Sequence, residues 1–180
     1  MKSKLLLVSC FIAIFLLMGC LEQQSAIDPH AKKTPVTAEE FKSITKNNNF
    51  EVSEDSGLLT ANFDVNCGNN GIQIFFVDCK NSNLADVAYN ASKSEFLNTL
   101  KRNSIGKLNE KEETFANGKK YTLTLGLSEE DKKKTVTFGD DGAKVASYVY
   151  IVDNTVVSIA PFRCKEYKNK VNKILSEFKY

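Results

Sequence analysis

Histidine occurs once in the 180 residues, and arginine is confined to Arg102 and Arg163. Each scarcity excludes a class of chemistry. The single histidine, His30, lies in a polar stretch with no partner groups held around it, so a histidine base or metal ligand has nothing to work with there. The arrangements G-x-S-x-G, H-E-x-x-H and G-x-x-x-x-G-K-[ST] are all missing, which removes the residues that serine hydrolases, zinc proteases and phosphate-binding loops require. Cys67, Cys79 and Cys164 have no nearby histidine to generate a thiolate. The stretch Asp64-Val65-Asn66-Cys67-Gly68-Asn69 glances at a calcium loop but departs from it. Asn69 stands in the place of the obligatory glycine and Phe75 in that of the bidentate glutamate. Asp64 and Asp78 could converge as a carboxylate pair, although carboxylates on the wet face of a hairpin are ordinarily solvated. The expectation is therefore a protein that is not an enzyme, with no catalytic residues, no metal site and no dissociable cofactor.

The N-terminus carries the most specific signal. Lys2 and Lys4 precede an apolar run from Leu5 to Met18 of about 14 residues, short of the roughly 20 needed to span a membrane. The run closes on Leu17-Met18-Gly19-Cys20. This order of basic segment, apolar segment and box resembles the signal of bacterial lipoproteins, in which small residues admit a signal peptidase and the cysteine sulfur receives a diacylglycerol. The resemblance implies a signal peptide over residues 1–19 with Leu17, Met18 and Gly19 as its cleavage box. It also implies lipidation of Cys20 with diacylglycerol and fatty acid, and a lipid-anchored place on the cell membrane, facing outward. Two acyl chains, at roughly 0.8 kcal/mol per buried methylene, suffice for a stable anchor.

Removing 19 of 180 residues leaves 161, enough for one domain with a real core. The 24 lysines and arginines against 22 acidic residues become 22 against 22 once Lys2 and Lys4 leave with the signal. A charge-balanced chain poor in arginine offers little footing for nucleic acid. Residues 20–35 are polar, lack apolar periodicity and end in Pro35, as a flexible tether would, so the domain is expected over residues 36–180.

Within that domain the patterns alternate between helix and hairpin. Thr37 and Glu40 form a capping box, Val36 and Phe41 a hydrophobic staple, and Asn47-Asn48-Asn49 a stop. Leu59, Ala61, Phe63, Val65 and Cys67 alternate with polar residues, and Gly68-Asn69-Asn70-Gly71 reads as a turn into Ile72 to Cys79. This pairing would set Cys67 opposite Ile72, in one row with Phe63 and Val65 as a small buried residue. Ala85, Ala88, Tyr89, Ser92, Phe96, Thr99 and Leu100 form one face of a helix from about Leu84 to Arg102, with Asn83 as its cap. Ser104 to Lys111 reads as loop. Asn117-Gly118 is a strong hairpin signal ahead of Tyr121, Leu123, Leu125 and Leu127. Ser128 to Lys134 is a charged connection, Val136 and Phe138 mark a short strand, and Gly139 to Gly142 a turn. Ala143 to Val152 and Thr155 to Phe162 form a last hairpin around Asp153-Asn154, and Tyr167, Val171, Ile174, Leu175 and Phe178 stripe a final helix.

These patterns imply an α+β, two-layer sandwich: a mainly antiparallel sheet of hairpins with about three helices packed on it. A hairpin, a Cys-Lys pair and a helix occur twice, so Cys79 and Cys164 fall at equivalent junctions and could form a disulfide if their strands are neighbours. The element order, with the Asp153-Asn154-Thr155 turn and the ending K-E-Y-K-N-K-V-N-K-I-L-S-E-F, resembles small uncharacterised surface lipoproteins of Gram-positive type. That resemblance implies export and no activity. Two functional classes follow: a non-enzymatic binding or interaction module at the cell envelope, joined to the membrane through its lipid and to an unknown envelope protein, or a small-ligand carrier or accessory subunit of an envelope transporter.

Overall fold

The computed structural model describes residues 31–63, 71–103, 107–126, 145–162 and 165–180. The first helix, α1 (Ala38–Asn47), starts where the sequence offers a partner for its free N–H groups. Thr37 Oγ1 accepts from the Glu40 amide at 3.2 Å, and Glu40 Oε2 accepts from the Thr37 amide at 2.9 Å. Those bonds hold the Glu40 carboxyl below the ordinary glutamate range. Val36 and Phe41 are both buried, as a staple requires. Asn49 turns the chain out of the helix at φ 63°. Asn48 Nδ2 then donates at 2.9 Å to Glu177 Oε2, beside the last helix.

The remaining elements are β1 (Glu51–Asp55), β2 (Leu58–Phe63), β3 (Ile72–Asp78), α2 (Ser82–Asn103), β4 (Lys107–Phe115), β5 (Gly118–Gly126), β6 (Val145–Val152), β7 (Thr155–Phe162) and α3 (Lys165–Glu177). The strands make one antiparallel sheet in the order β1-β2-β3-β7-β6-β5-β4. This is the expected α+β sandwich of hairpins and helices. Burial explains the order. The central strands β3, β7 and β6 carry apolar residues on both faces, while β2 and β5 alternate apolar with polar and so bury one face only.

The helices divide between the two faces. On one, α1 and α3 bury Phe41, Val171, Ile174 and Phe178 against Leu59, Ala61, Ile74, Phe76 and Val157. On the other, α2 buries Ala85, Tyr89, Phe96 and Leu100 against Tyr121, Leu123, Leu125, Val149, Ile151 and Val156. Both stripes are those expected from helical spacing. Among the described helices, α1 and α3 lie over the β1 side of the sheet and α2 over the β4 side, so each half-sheet has one face without a described helix.

Several expectations are corrected by this arrangement. Phe63, not Cys67, lies opposite Ile72, so the register of β2 on β3 differs by four residues from the expected one; residues 68–70 of the expected turn lie outside the described residues. Cys67 itself lies outside the described residues. Strand β1, with Val52 as its one apolar residue, turns into β2 through Ser56 and Gly57, whose φ values of 51° and 84° suit a tight hairpin. The reading of 104–111 as loop gives way to β4 from Lys107. Asn81, not Asn83, caps α2: its Oδ1 accepts from the Leu84 amide at 3.0 Å. The Asn-Gly hairpin turns one residue earlier, at Ala116 and Asn117, because Phe115 pairs with Gly118. A Cβ on Gly118 would lie 2.0 Å from the Ile151 carbonyl oxygen, so that glycine serves close packing of β5 on β6.

Strand direction bears on the expected Cys79–Cys164 bridge. β3 and β7 are neighbours, yet they run antiparallel, so their C-terminal ends lie at opposite ends of the sheet. Cys79 is a free thiol whose amide donates to the Asn154 carbonyl at 2.9 Å, at the start of β7. The far end, Phe162, is about 23 Å away at 3.3 Å per residue. A disulfide needs Cα atoms within about 7 Å. Cys164 lies outside the described residues.

Candidate functional site

Three surfaces concentrate polar chemistry on this scaffold. The first joins α2 to β4 and β5. The Tyr89 hydroxyl donates to Glu112 Oε2 at 3.0 Å, and Lys93 forms an ion pair with the same oxygen. The Tyr121 hydroxyl donates to Glu110 Oε2 at 2.9 Å. Lys93 Nζ lies 5.2 Å from the Tyr89 ring centroid and 4.7 Å from that of Tyr121, and Lys119, paired with Asp86 at 3.2 Å, lies 5.1 Å from the Tyr89 ring. The Lys93 hydrogen bond, above all, keeps the Glu112 carboxyl below its ordinary range against the opposing effect of burial. Burial pushes both phenols well above theirs, and the neighbouring carboxylates add to this. Every charge here has a partner, so the cluster locks α2 onto the β4 edge.

The second surface is the opposite face of the same half-sheet. Cross-strand partners fall into two adjacent rows: Glu113, Lys120 and Tyr150, then Lys111, Thr122 and Tyr148. Lys120 Nζ lies 5.6 Å from the Tyr148 ring centroid and 5.5 Å from that of Tyr150. No carboxylate among the described residues is within ion-pair distance of it. Burial pulls its ammonium below the ordinary lysine range; Glu113 opposes this, and Lys111 and Lys33 add to it. Lys111 is paired with Glu113 at 2.9 Å.

The rim of that surface is made by the segment before α1. The Lys33 amide donates to Asn117 Oδ1, and Asn117 Nδ2 donates to the Lys33 carbonyl, both at 2.9 Å. Asn117 Nδ2 also reaches Asp153 Oδ2 at 3.0 Å, so one side chain ties the N-terminal segment to two hairpin turns. The tail of the expected tether is thus held on the domain. Lys33 Nζ lies 5.5 Å from the Phe115 ring centroid, and Tyr180 stacks on Tyr150 at 4.9 Å. Burial brings the Tyr180 phenol up to about 12.

The third surface is the other open half, the α2-side face of β1, β2 and β3. It exposes Glu51, Ser53 and Asp55 with Leu58, and half-exposes Thr60, Asn62, Phe75 and Val77. Leu58 pairs with Val77 across the strands. Asp86 and Lys93 reach β5 and β4 from one flank of α2, Leu84 lies on its other flank, toward this face, and Val87, two residues from each of the buried Ala85 and Tyr89, points away from the sheet. Leu84 is 49% and Val87 65% exposed, the largest apolar exposures among the described residues.

Sequence reasoning placed none of these surfaces; Lys120 and the α2 flank carry no local motif. Leu17, Met18, Gly19, Cys20, His30, Asp64 and Cys164 lie outside the described residues. Asp78 ends β3, and the half-buried Cys79 thiol is pushed up by burial and then by Asp78 beside it, which keeps it protonated. Among the described residues no group of three His, Cys, Asp or Glu is placed to hold a metal ion, and no helix is long and apolar enough to cross a membrane. Comparison with protein-family models, curated proteins and solved structures finds no match.

Proposed function

We propose that this chain is a membrane-anchored extracytoplasmic lipoprotein, held through lipidated Cys20, that works as a non-enzymatic binding module at the cell envelope. The observation that carries the binding role is the open half-sheet of β1, β2 and β3. Its wet face carries the cross-strand pair of Leu58 and half-buried Val77, with Leu84 on the flank of α2 toward it; Leu58 and Leu84 stay exposed although burial of each is worth about 1.5 to 3 kcal/mol. An apolar border beside a polar sheet face is the composition of a protein contact surface. The partner is an envelope protein that shields this border.

Two measurements test the reading. Cells fed an alkyne fatty acid should yield a labelled chain, and replacing Cys20 should abolish the label; an unlabelled, freely secreted product would overturn the anchor. A photo-crosslinking residue at Leu58 or Leu84 should give a discrete protein adduct on intact cells, while one at the exposed Ser94, on the outward side of α2, should not. Equal adducts at all three positions would overturn the contact surface.

A further inference from the structure

We propose that the lysine–tyrosine face of β4, β5 and β6 is a binding site for a phosphate-bearing anion, and that its occupant is the headgroup of an anionic phospholipid in the membrane to which the chain is tethered. Lys120 is the reason to look for a ligand. Its ammonium sits half-buried above two tyrosine rings, with no carboxylate among the described residues close enough to pair with it. A threonine would fill a β5 position on this face without a charge, as Thr122 and Thr124 do. Keeping a desolvated cation there costs stability, and a bound anion would recover that cost.

The neighbouring groups fit a phosphate. Directly opposed Cβ atoms on paired strands are about 5 Å apart, and alternate residues on one strand about 6.6 Å apart. Lys120, Thr122 and Lys111 therefore occupy two touching rows, which sets two ammonium groups and a hydroxyl on neighbouring positions of one sheet face, within reach of one headgroup. Glu113 already engages Lys111, and Lys33 at the rim adds a further positive charge. The tyrosine floor suits the apolar glycerol side of a headgroup as well as its charge.

The membrane is favoured over a dissolved phosphate by the course of the chain. Residues 31–33 run along the Ala116–Asn117 turn at the edge of this face, with Ala116 donating to the Ala31 carbonyl at 3.4 Å and Lys33 bonded to Asn117. The first described residues, on the side of the chain that leads back to Cys20, thus lie at the rim of the site. Twelve residues lie between Cys20 and Lys33, and a coil of that length spans roughly 20 Å. At that range the headgroups have a high effective concentration, and a site that is weak in free solution is sufficient. The choice of occupant rests on the anchored reading; the presence of an anion site does not.

The test is amine acylation of the full chain as cells deliver it, read lysine by lysine by mass spectrometry. Phosphatidylcholine vesicles containing phosphatidylglycerol should slow acylation of Lys120 on the order of tenfold, corresponding to roughly nine-tenths occupancy, whereas phosphatidylcholine alone should not. Exposed Lys101 on α2 should be unchanged. Lys111→Gln should remove most of the protection, and Lys120→Thr should melt at the same or a higher temperature while losing retention on the anionic vesicles. Equal protection by dissolved glycerol phosphate would overturn the membrane assignment, and protection by neither would overturn the site. A chain that proves to carry no fatty acid would still report in the vesicle arm, so failure of the anchor and failure of the site give different results.

Discussion

Gly118 shows how one residue can be read for the right place and the wrong reason. Asn-Gly marks a hairpin, and a hairpin is there, but the turn residues are Ala116 and Asn117, neither with positive φ. Gly118 pairs with Phe115 on one side and Val152 on the other, and its missing side chain lets the Ile151 carbonyl approach. Gly118→Ala should therefore cost about 2 to 3 kcal/mol through steric overlap with backbone that cannot swing aside. Urea denaturation would measure it, and a loss below about 0.5 kcal/mol, ordinary for a surface change, would disprove the close-packing role. Asn117 was legible only as a turn former. Its amide bonds to Lys33 and Asp153, 84 and 36 residues away in the chain, and no local pattern encodes partners so distant.

The helices were the most legible elements, because an apolar stripe of period 3.6 and a capping box are complete within a few residues. The edge strands were the least legible. β4 reads K-L-N-E-K-E-E-T-F, with charge on both faces, and its place in the sheet depends on Tyr89, Lys93 and Tyr121 from α2 and β5. That dependence gives α2 and β4 a common acid sensitivity. The Glu112 carboxyl is held below 4.5 in the folded chain, so its contribution to stability is present above that pH and is lost as pH falls through the lower, folded value. Glu112→Gln should cost on the order of 1 kcal/mol or less at neutral pH, since the pair is partly exposed, and should flatten part of the loss between about pH 5 and pH 3. Denaturation midpoints of parent and variant across that range would check it; parallel curves would show that Glu112 does not couple the two elements.

At the scale of the whole molecule, two cores share one sheet. Ile74, Phe76, Val157 and Ile159 face α1 and α3, while Val149, Ile151 and Val156 face α2. β3, β7 and β6 thus belong to both cores or to the seam between them, and the cores should unfold together. Native-state hydrogen exchange should be slowest in β7 and β6 and should report the global unfolding free energy there. β1 and β4, each bonded on one side only, should exchange faster through local opening. Two groups of slow amides with different denaturant dependence, one per core, would contradict a single cooperative unit. The same diagonal placement leaves two faces without a described helix, and these carry the proposed protein contact and the proposed anion site.

The sequence by itself determined the helix stripes, the capping box of α1, the β4–β5 and β6–β7 hairpins and the resemblance to a lipoprotein signal, because each is written in residues within reach of one another. It also determined which chemistries lack their residues. Tertiary structure alone decided the register of β2 on β3, the recruitment of charged segments as edge strands and the separation of the C-terminal ends of β3 and β7. It alone set Lys120 over two tyrosines without an acidic partner. The physical reason is common to all four: each depends on strand order and direction, which are settled by burial of the central strands on both faces and not by any local pattern.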